Sequence, residues 1–498
     1  MKNQVQLITY VDRLGGQRDG ADLARLKKLL CEPGQPLADV FGGVHLLPFF
    51  HAIDGADAGF DPIDHTLVDP RLGDWSDIKA LTEGLEVMGD VIVNHMSSES
   101  PQFQDFSAKG RESAYDGLFL TLDAVFPNGA TERDLLTVYR PRPGLPLSYA
   151  TLKNGERRIL WTTFTAAQID IAVHHPQGRA YLESILQTFA ANGIRMVRLD
   201  AVGYAIKKAG ASCFMMPETF GFIAEFAQAA RALGIEVLVE IHAYYQRQIE
   251  IASQVDWVYD FALPPLVLHA FEFKTAGALK RWIAVRPTNA LTVLDTHDGI
   301  GIIDIGADAS DRAAHPGLVP PEELDALVER IHAASQGQSR KATGAAASNL
   351  DLYQVNCSFF DAMGRNETAY LLARAIQFFL PGVPQVYYVG LLAGHNDMEL
   401  LARTQVGRDI NRHYYDAAEI ASDCERPVVR RLIELIRLRN RHPAFGGVFS
   451  VEAGGDDELH LRWQQGGDWA ALRVNFASLD HELSCSADGG ATERFAFS

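Results

Sequence analysis

Ile194-Arg195-Met196-Val197-Arg198-Leu199-Asp200 reads as a buried strand interrupted by charge, and this stretch decides the fold. Side chains alternate faces along a strand, so Arg198 and Asp200 point the same way. An ionised carboxylate is costly to bury unless it is paired. An arginine two residues upstream on the same face supplies the partner and is expected to hold the carboxyl ionised. Two later strands close in the same manner. Ile235–Glu240 ends on Glu240 and is followed by His242, and Leu291–Asp298 closes on His297 and Asp298. In a barrel of parallel strands catalytic groups gather at the C-terminal strand ends, so these distant carboxylates can meet in one pocket. The competing reading is that each acidic residue caps the next helix. It serves for any one of them and poorly for all three together with Arg198 and His297.

The chain has 498 residues, 47% of them hydrophobic, which suffices for a large core and more than one domain. Its 63 acidic and 45 basic side chains leave a formal net charge of −18, which disfavours a nucleic-acid or anionic-membrane partner. Met1–Tyr10 moves straight into the strand-like Val5-Gln6-Leu7-Ile8-Thr9, without the basic start and apolar core of a leader. No run reaches the roughly 18 apolar residues of a membrane span. A cytoplasmic enzyme is therefore expected. The five cysteines, Cys31, Cys213, Cys357, Cys424 and Cys485, are far apart and lack any C-x-x-C spacing, so neither a disulfide framework nor a thiolate metal site is indicated.

Short apolar runs alternate with helical patterns, the signature of repeated strand-helix units. The expected strands are Gln4–Thr9, Gly43–Leu47, Asp90–Asn94, Ile194–Asp200, Ile235–Glu240, Trp257–Asp260, Leu291–Asp295 and Pro384–Tyr388. Eight such strands predict an α/β protein built on a closed (β/α)8 TIM barrel. A helix is expected over Ala180–Phe189, where Tyr181, Leu182, Ile185, Leu186 and Phe189 form one apolar stripe before Gly193. Two insertions break the rhythm: a Pro- and Gly-dense stretch around Pro141–Pro146, and the Ala- and Ser-rich Gly299–Gly364. The alternation Leu459-His460-Leu461-Arg462-Trp463 points to a C-terminal β domain. The division expected is barrel at 1–92, an inserted subdomain at 93–175, barrel at 176–299, an inserted loop subdomain at 300–364, barrel at 365–443 and a small β domain at 444–498.

The strand-end motifs Asp90-Val-Ile-Val-Asn-His95, Val197-Arg-Leu-Asp-Ala201, Val239-Glu240 and Thr296-His-Asp298 resemble, in order, those of the α-amylase superfamily of glycoside hydrolases. Within it, the family of sucrose phosphorylases is the closer resemblance. Gly55-Ala-Asp-Ala-Gly-Phe-Asp-Pro-Ile-Asp-His65, Tyr139-Arg-Pro-Arg-Pro-Gly144, Asn349-Leu-Asp-Leu-Tyr-Gln-Val-Asn356 and Gly407-Arg-Asp-Ile-Asn-Arg-His-Tyr-Tyr415 carry it. The resemblance implies Asp200 as nucleophile, Glu240 as general acid/base and Asp298 as the carboxylate that stabilises the transition state. It further implies that Asp57, His95, Arg408 and His297 hold the hydroxyls of a transferred glucosyl unit, with Arg198 beside the nucleophile and Phe60 and Phe164 presenting apolar faces. Bare of that context, Phe60 could be core and Arg408 a surface ion-pair partner. Arg142, Tyr204, His242, Asp351, Tyr353 and Gln354 match positions around the acceptor, where fructose or inorganic phosphate must sit in turn. Arg142, set between two prolines, offers a stiff planar fork for an oxyanion.

The chemistry so implied is double displacement, in which one carboxylate attacks and one protonated carboxyl releases the leaving oxygen. Sucrose and phosphate would yield α-D-glucose 1-phosphate and fructose with retention. Tyr204 stands where amylases carry a histidine whose backbone, with the asparagine matched by Asn94, binds calcium, so neither a metal nor another cofactor is expected. The same carboxylates would also serve a phosphorylase of glucosylglycerol, glucosylglycerate or sucrose 6′-phosphate, or an α-glucoside hydrolase or transglucosidase. A non-catalytic amylase-like binding module is the reading from another class. Relatives suggest a homodimer.

Overall fold

The computed structural model describes residues 1–54, 57–141, 144–308, 311–343 and 354–497. Eight parallel strands close a barrel: β1 (Gln6–Thr9), β2 (Gly43–Leu46), β3 (Glu86–Ile92), β4 (Met196–Asp200), β5 (Glu236–Val239), β6 (Trp257–Asp260), β7 (Ala290–Thr292) and β8 (Val383–Tyr387). Gln6 of β1 pairs with Gly43 of β2 on one side and with Gln385 of β8 on the other, which completes the ring. Every expected strand is present, in chain order around the barrel. Most ends shift by one or two residues, and two strands differ by more. β3 begins at Glu86, ahead of Asp90, while β7 leaves the ladder at Thr292, and the buried Asp295 beyond it is drawn instead to Arg374 at 2.7 Å.

The helices form because their apolar positions recur on one face that the barrel can cover. The helix Pro176–Ala191 shows this: Tyr181, Leu182, Ile185, Leu186 and Phe189 are all buried, as the stripe predicts. Burying each large side chain is worth about 2 kcal/mol. His175 caps the helix by accepting from the Gln177 amide, Pro176 opens it, and Gly193 at φ 86° carries the chain out of it towards β4.

Three additions surround this frame. Between β3 and β4, His95–Ser97 pairs antiparallel with Gln168–Asp170, and a hairpin joins Leu147–Thr151 to Arg157–Trp161. Between β7 and β8, Ile300–Gly301 pairs with Gln354–Val355, so the far end of that insertion returns to the loop after β7. Past the last long helix, Pro427–Arg441, a five-stranded antiparallel sheet follows: β9 (Val448–Glu452), β10 (Glu458–Gln465), β11 (Asp468–Asn475), β12 (His481–Ser486) and β13 (Glu493–Phe495). The alternation read from sequence is realised there, with Leu459, Leu461 and Trp463 buried. Trp463 donates its indole N–H to the Phe379 carbonyl at 2.6 Å, which fastens the sheet to the barrel's helical layer. No helix among the described residues is long and apolar enough to cross a membrane.

Candidate active site

The parallel register sets the first element of the site. Arg198 of β4 lies beside Asp90 of β3 and Leu238 of β5, and its side chain is only 2% exposed. Its Nη1 donates to Asp90 Oδ1 at 2.6 Å and to Asp200 Oδ1 at 3.0 Å, while Nη2 stands 3.3 Å from Glu240 Oε1. One guanidinium thus spans three strand ends. His45 of β2 braces Asp90 from the other side at 3.1 Å. Burial pushes the Asp90 carboxyl up, but His45 and Arg198 outweigh it and hold it at about 2. Immediately after Asp200 the chain turns: Ala201 sits at φ 55°, ψ 20°, and the turn Val202–Tyr204 follows.

Asp200 itself differs from the expectation drawn from its arginine. Burial drives its carboxyl well above the ordinary range, and the charges of Glu240, Asp90 and Asp57 add to the rise against the pull of Arg198. The strand pattern shows the arginine and hides how many acids share it. Crowding of several carboxylates around one guanidinium is the cause of the rise. Asp298 is the contrast. Burial raises its carboxyl, but Arg408 at 2.9 Å, His297, Arg198 and Arg412 hold it well below the usual carboxylate range.

The pocket wall carries the remaining predicted residues. Phe60 stacks on His297 with ring centroids 4.8 Å apart and interplanar angle 10°, and the Arg198 guanidinium lies 5.5 Å from the Phe60 centroid. His95 Nε2 donates to the Phe60 carbonyl at 2.9 Å, and Asp57 accepts from Gln168 Nε2 at 2.8 Å. Burial depresses both His95 and His297, so each offers a neutral imidazole. Phe164 meets the His95 ring edge at 5.3 Å and Tyr204 at 5.1 Å, and Tyr204 continues through Phe214 to Tyr139, a ladder of rings leading outward. His242 rests on the Phe261 ring at 3.9 Å, with Gln354 Nε2 3.1 Å from its Nε2. Asp200, Glu240, Asp298, Arg198, His95, His297, Phe60, Phe164, Asp57, Arg408, Tyr204, His242 and Gln354 thus sit at the strand ends or on the loops that follow them. Arg142, Asp351 and Tyr353 lie outside the described residues.

Glu240, His242 and Asp298 bring ligand-type atoms within 4.8 Å of one another. Arg198 and Arg408 stand against two of them, which suits a surface for hydroxyls and oxyanions better than a cation cage. A second cluster does surround a cation, and the chain supplies it. Lys207 Nζ, on a side chain 2% exposed, lies 2.6 Å from Asp170 Oδ2 and 2.8 Å from Asn94 Oδ1, and also donates to the Tyr204 carbonyl. Asp170 accepts in turn from the Thr163 amide at 3.0 Å and from its hydroxyl at 2.5 Å.

The sequence reading missed Asp90 as a site residue, together with His45, Lys207 and Asp170. Asp90 had a signal, since period two places it on the same barrel-lining side as His45 and Arg198. Lys207 and Asp170 carry none, because only folding brings the insertion back to the turn after β4.

The chain matches the family model of the α-amylase catalytic domain over residues 40–271. It is 59% identical over 477 residues to a sucrose phosphorylase from Agrobacterium vitis, covering 96% of each chain. It is 54% identical over 464 residues to a sucrose phosphorylase from Bifidobacterium adolescentis, covering 93% of this chain and 90% of the relative. Among solved structures, a sucrose 6F-phosphate phosphorylase from Thermoanaerobacter thermosaccharolyticum superposes with TM-score 0.90 at 37% identity, over 99% of this chain and 98% of that one. With its eight-stranded barrel and nearly full-length identity to these enzymes, the chain belongs to the sucrose phosphorylase family of the α-amylase superfamily.

Proposed function

We propose that this protein is a sucrose phosphorylase, a hexosyltransferase that converts sucrose and inorganic phosphate to α-D-glucose 1-phosphate and fructose. The observation that carries the reading is the placement of Asp200 and Glu240 on either side of the Arg198 guanidinium, in a chain 59% identical to an enzyme of that name. Asp200 attacks the anomeric carbon as the bond to fructose breaks, and the departing oxygen takes the proton from Glu240. A phosphate oxygen then attacks the glucosyl ester, yields its proton to the Glu240 carboxylate, and frees Asp200. Two inversions retain configuration. Asp298 with Arg408 presents an acceptor and a donor to one face of the sugar, while Asp57, His95 and His297 line the same cavity and Phe60 and Phe164 meet its C–H faces. The aromatic ladder Tyr204, Phe214, Tyr139 and the pair His242, Gln354 border the acceptor side, to which Arg142, Asp351 and Tyr353 are assigned with them.

The same reading keeps the division at 92, 175, 299, 364 and 443, supported by where the barrel strands start and stop. It places the enzyme in the cytoplasm, which the five unpaired cysteines suit. It allows a homodimer, for which the inserted hairpin offers an apolar outer face: Tyr149 is 64% exposed opposite Ile159. The deciding experiment incubates the protein with sucrose, with and without phosphate, and measures glucose 1-phosphate, free glucose and fructose. Glucose 1-phosphate equimolar with fructose, and only with phosphate, is expected. Free glucose at equal rate in both arms would make it a hydrolase or transglucosidase.

A further inference from the structure

Asp200 is the last paired residue of β4, and the Glu240 amide, just past β5, still donates to the Leu199 carbonyl. Asp298 is far from its ladder, since β7 ends at Thr292. The turn Gly407–Asn411 and Arg412 after it take the ladder's place. Asn411 Nδ2 donates to the Thr296 carbonyl at 3.1 Å, Arg412 Nε donates to the His297 carbonyl at 3.0 Å, and Arg408 Nη1 stands 2.9 Å from Asp298 Oδ1. The turn is itself tied to the barrel. Tyr387, the last residue of β8, donates its hydroxyl to the Asn411 carbonyl at 3.0 Å, and Arg13, in the loop after β1, donates Nη1 to the Arg412 carbonyl at 2.9 Å. Arg412 is fully buried and faces Asp409 at 3.5 Å. Among the described residues its Nη2 has no hydrogen-bond partner, and it stands 4.0 Å from Asp298 Oδ1. Holding a buried guanidinium with one edge unsatisfied is costly, which packing alone does not require.

We propose that Arg412, with Asn411 beside it, is a positioning residue for the glucosyl transition state: it fixes the backbone of Thr296–Asp298 so that His297 and the Asp298 carboxylate face the anomeric centre. The inference rests on the glucosyl-transfer reading above. Positive charge develops on the sugar ring whichever group departs, so a carboxylate displaced by about 1 Å weakens both half-reactions alike. Glu240, by contrast, matters where the leaving oxygen needs a proton. A residue that acts through Asp298 should therefore be blind to the leaving group, and its effect should shrink once that carboxylate is gone.

The test is a double-mutant cycle of Arg412→Met with Asp298→Asn. Donor kcat/KM is read as fructose released from sucrose and as fluoride released from α-D-glucosyl fluoride. Methionine keeps the stem and removes the donors, and Asp409 keeps Arg13 at 3.9 Å. Arg412→Met is expected to lower kcat/KM about 10²-fold, by the same factor for both donors. In the Asp298→Asn background the loss should shrink to less than about fivefold, the remainder passing through His297. The full loss in both backgrounds is what general damage to the structure would give, and it would overturn the inference. So would a loss confined to sucrose, or an Arg412→Met enzyme with wild-type rates. Should Arg412→Met not fold, Asn411→Leu carries the same cycle, with a loss of about tenfold expected alone and less than about twofold in the Asp298→Asn background. Wild-type conversion of sucrose to free glucose in place of glucose 1-phosphate would remove phosphorolysis and leave the cycle, read on fructose and fluoride, to decide the positioning role.

Discussion

The glucosyl side and the acceptor side of the pocket are held by different means. On the glucosyl side Asp90, Arg198 and Asp200 stand on β3 and β4, whose ladder fixes their spacing, and each is cross-braced by a buried partner. On the acceptor side His242, Gln354 and the ladder of aromatic rings ride on loops and on a two-residue pairing between Ile300–Gly301 and Gln354–Val355. A centre that must stabilise one transition state gains from a rigid frame, because misplacement of a reacting group is costly in rate. A surface that takes fructose and phosphate in turn gains from groups that can adjust. Substitutions on the first side should therefore abolish turnover, and those on the second should redirect it.

The largest effect is expected for Asp200→Asn, which removes the attacking oxygen and leaves Arg198 its partner Asp90. Turnover of sucrose should fall by about 10⁴-fold or more with the melting temperature little changed, as measured by fructose release and calorimetry. Retained turnover within tenfold would break the comparison at its strongest point. Glu240→Gln comes next, at roughly 10²- to 10⁴-fold, because the leaving oxygen loses its proton source. A glucosyl donor whose leaving group needs no proton, such as the α-fluoride, should recover most of the first step.

Lys207→Met tests the seam between the two sides. The substitution strands the Asp170 carboxylate in a site where its side chain is 1% exposed, and breaking a buried pair in this way costs about 3–5 kcal/mol. It also releases the Tyr204 carbonyl, so loss of stability should come with a change in acceptor kinetics, read by thermal unfolding and by KM for phosphate. A stable variant with altered acceptor KM alone would place Lys207 on the acceptor side only.

The glucosyl side was legible in the sequence because strand alternation is local: Arg198 and Asp200 declare a shared face within five residues, and three strand ends repeat the device. The barrel followed from eight apolar runs for the same reason. Lys207 was not legible, since its partners are reached through an insertion of dozens of residues with no period to follow. The upward push on the Asp200 carboxyl was not legible either, because one arginine is visible in the strand, while Glu240, Asp90 and Asp57 reach it only in three dimensions.

The smallest effects separate the sides by the direction of their response to pH. Asp90 is held at about 2, below its ordinary value of 3.8, so its contribution is fully present above pH 4 and is lost as pH falls through 2. That contribution is on the order of 2 kcal/mol. His242 is raised above 6.5, so its contribution is fully present below 6.5 and is lost as pH rises through the raised value. Denaturant unfolding of wild type and Asp90→Asn should therefore converge as pH falls from 5 towards 2. Wild type and His242→Gln should differ at pH 6 and converge towards pH 9. Convergence of both pairs on the same limb would mean that the two sides share one electrostatic frame, and the distinction between a fixed glucosyl side and an adjustable acceptor side would fail.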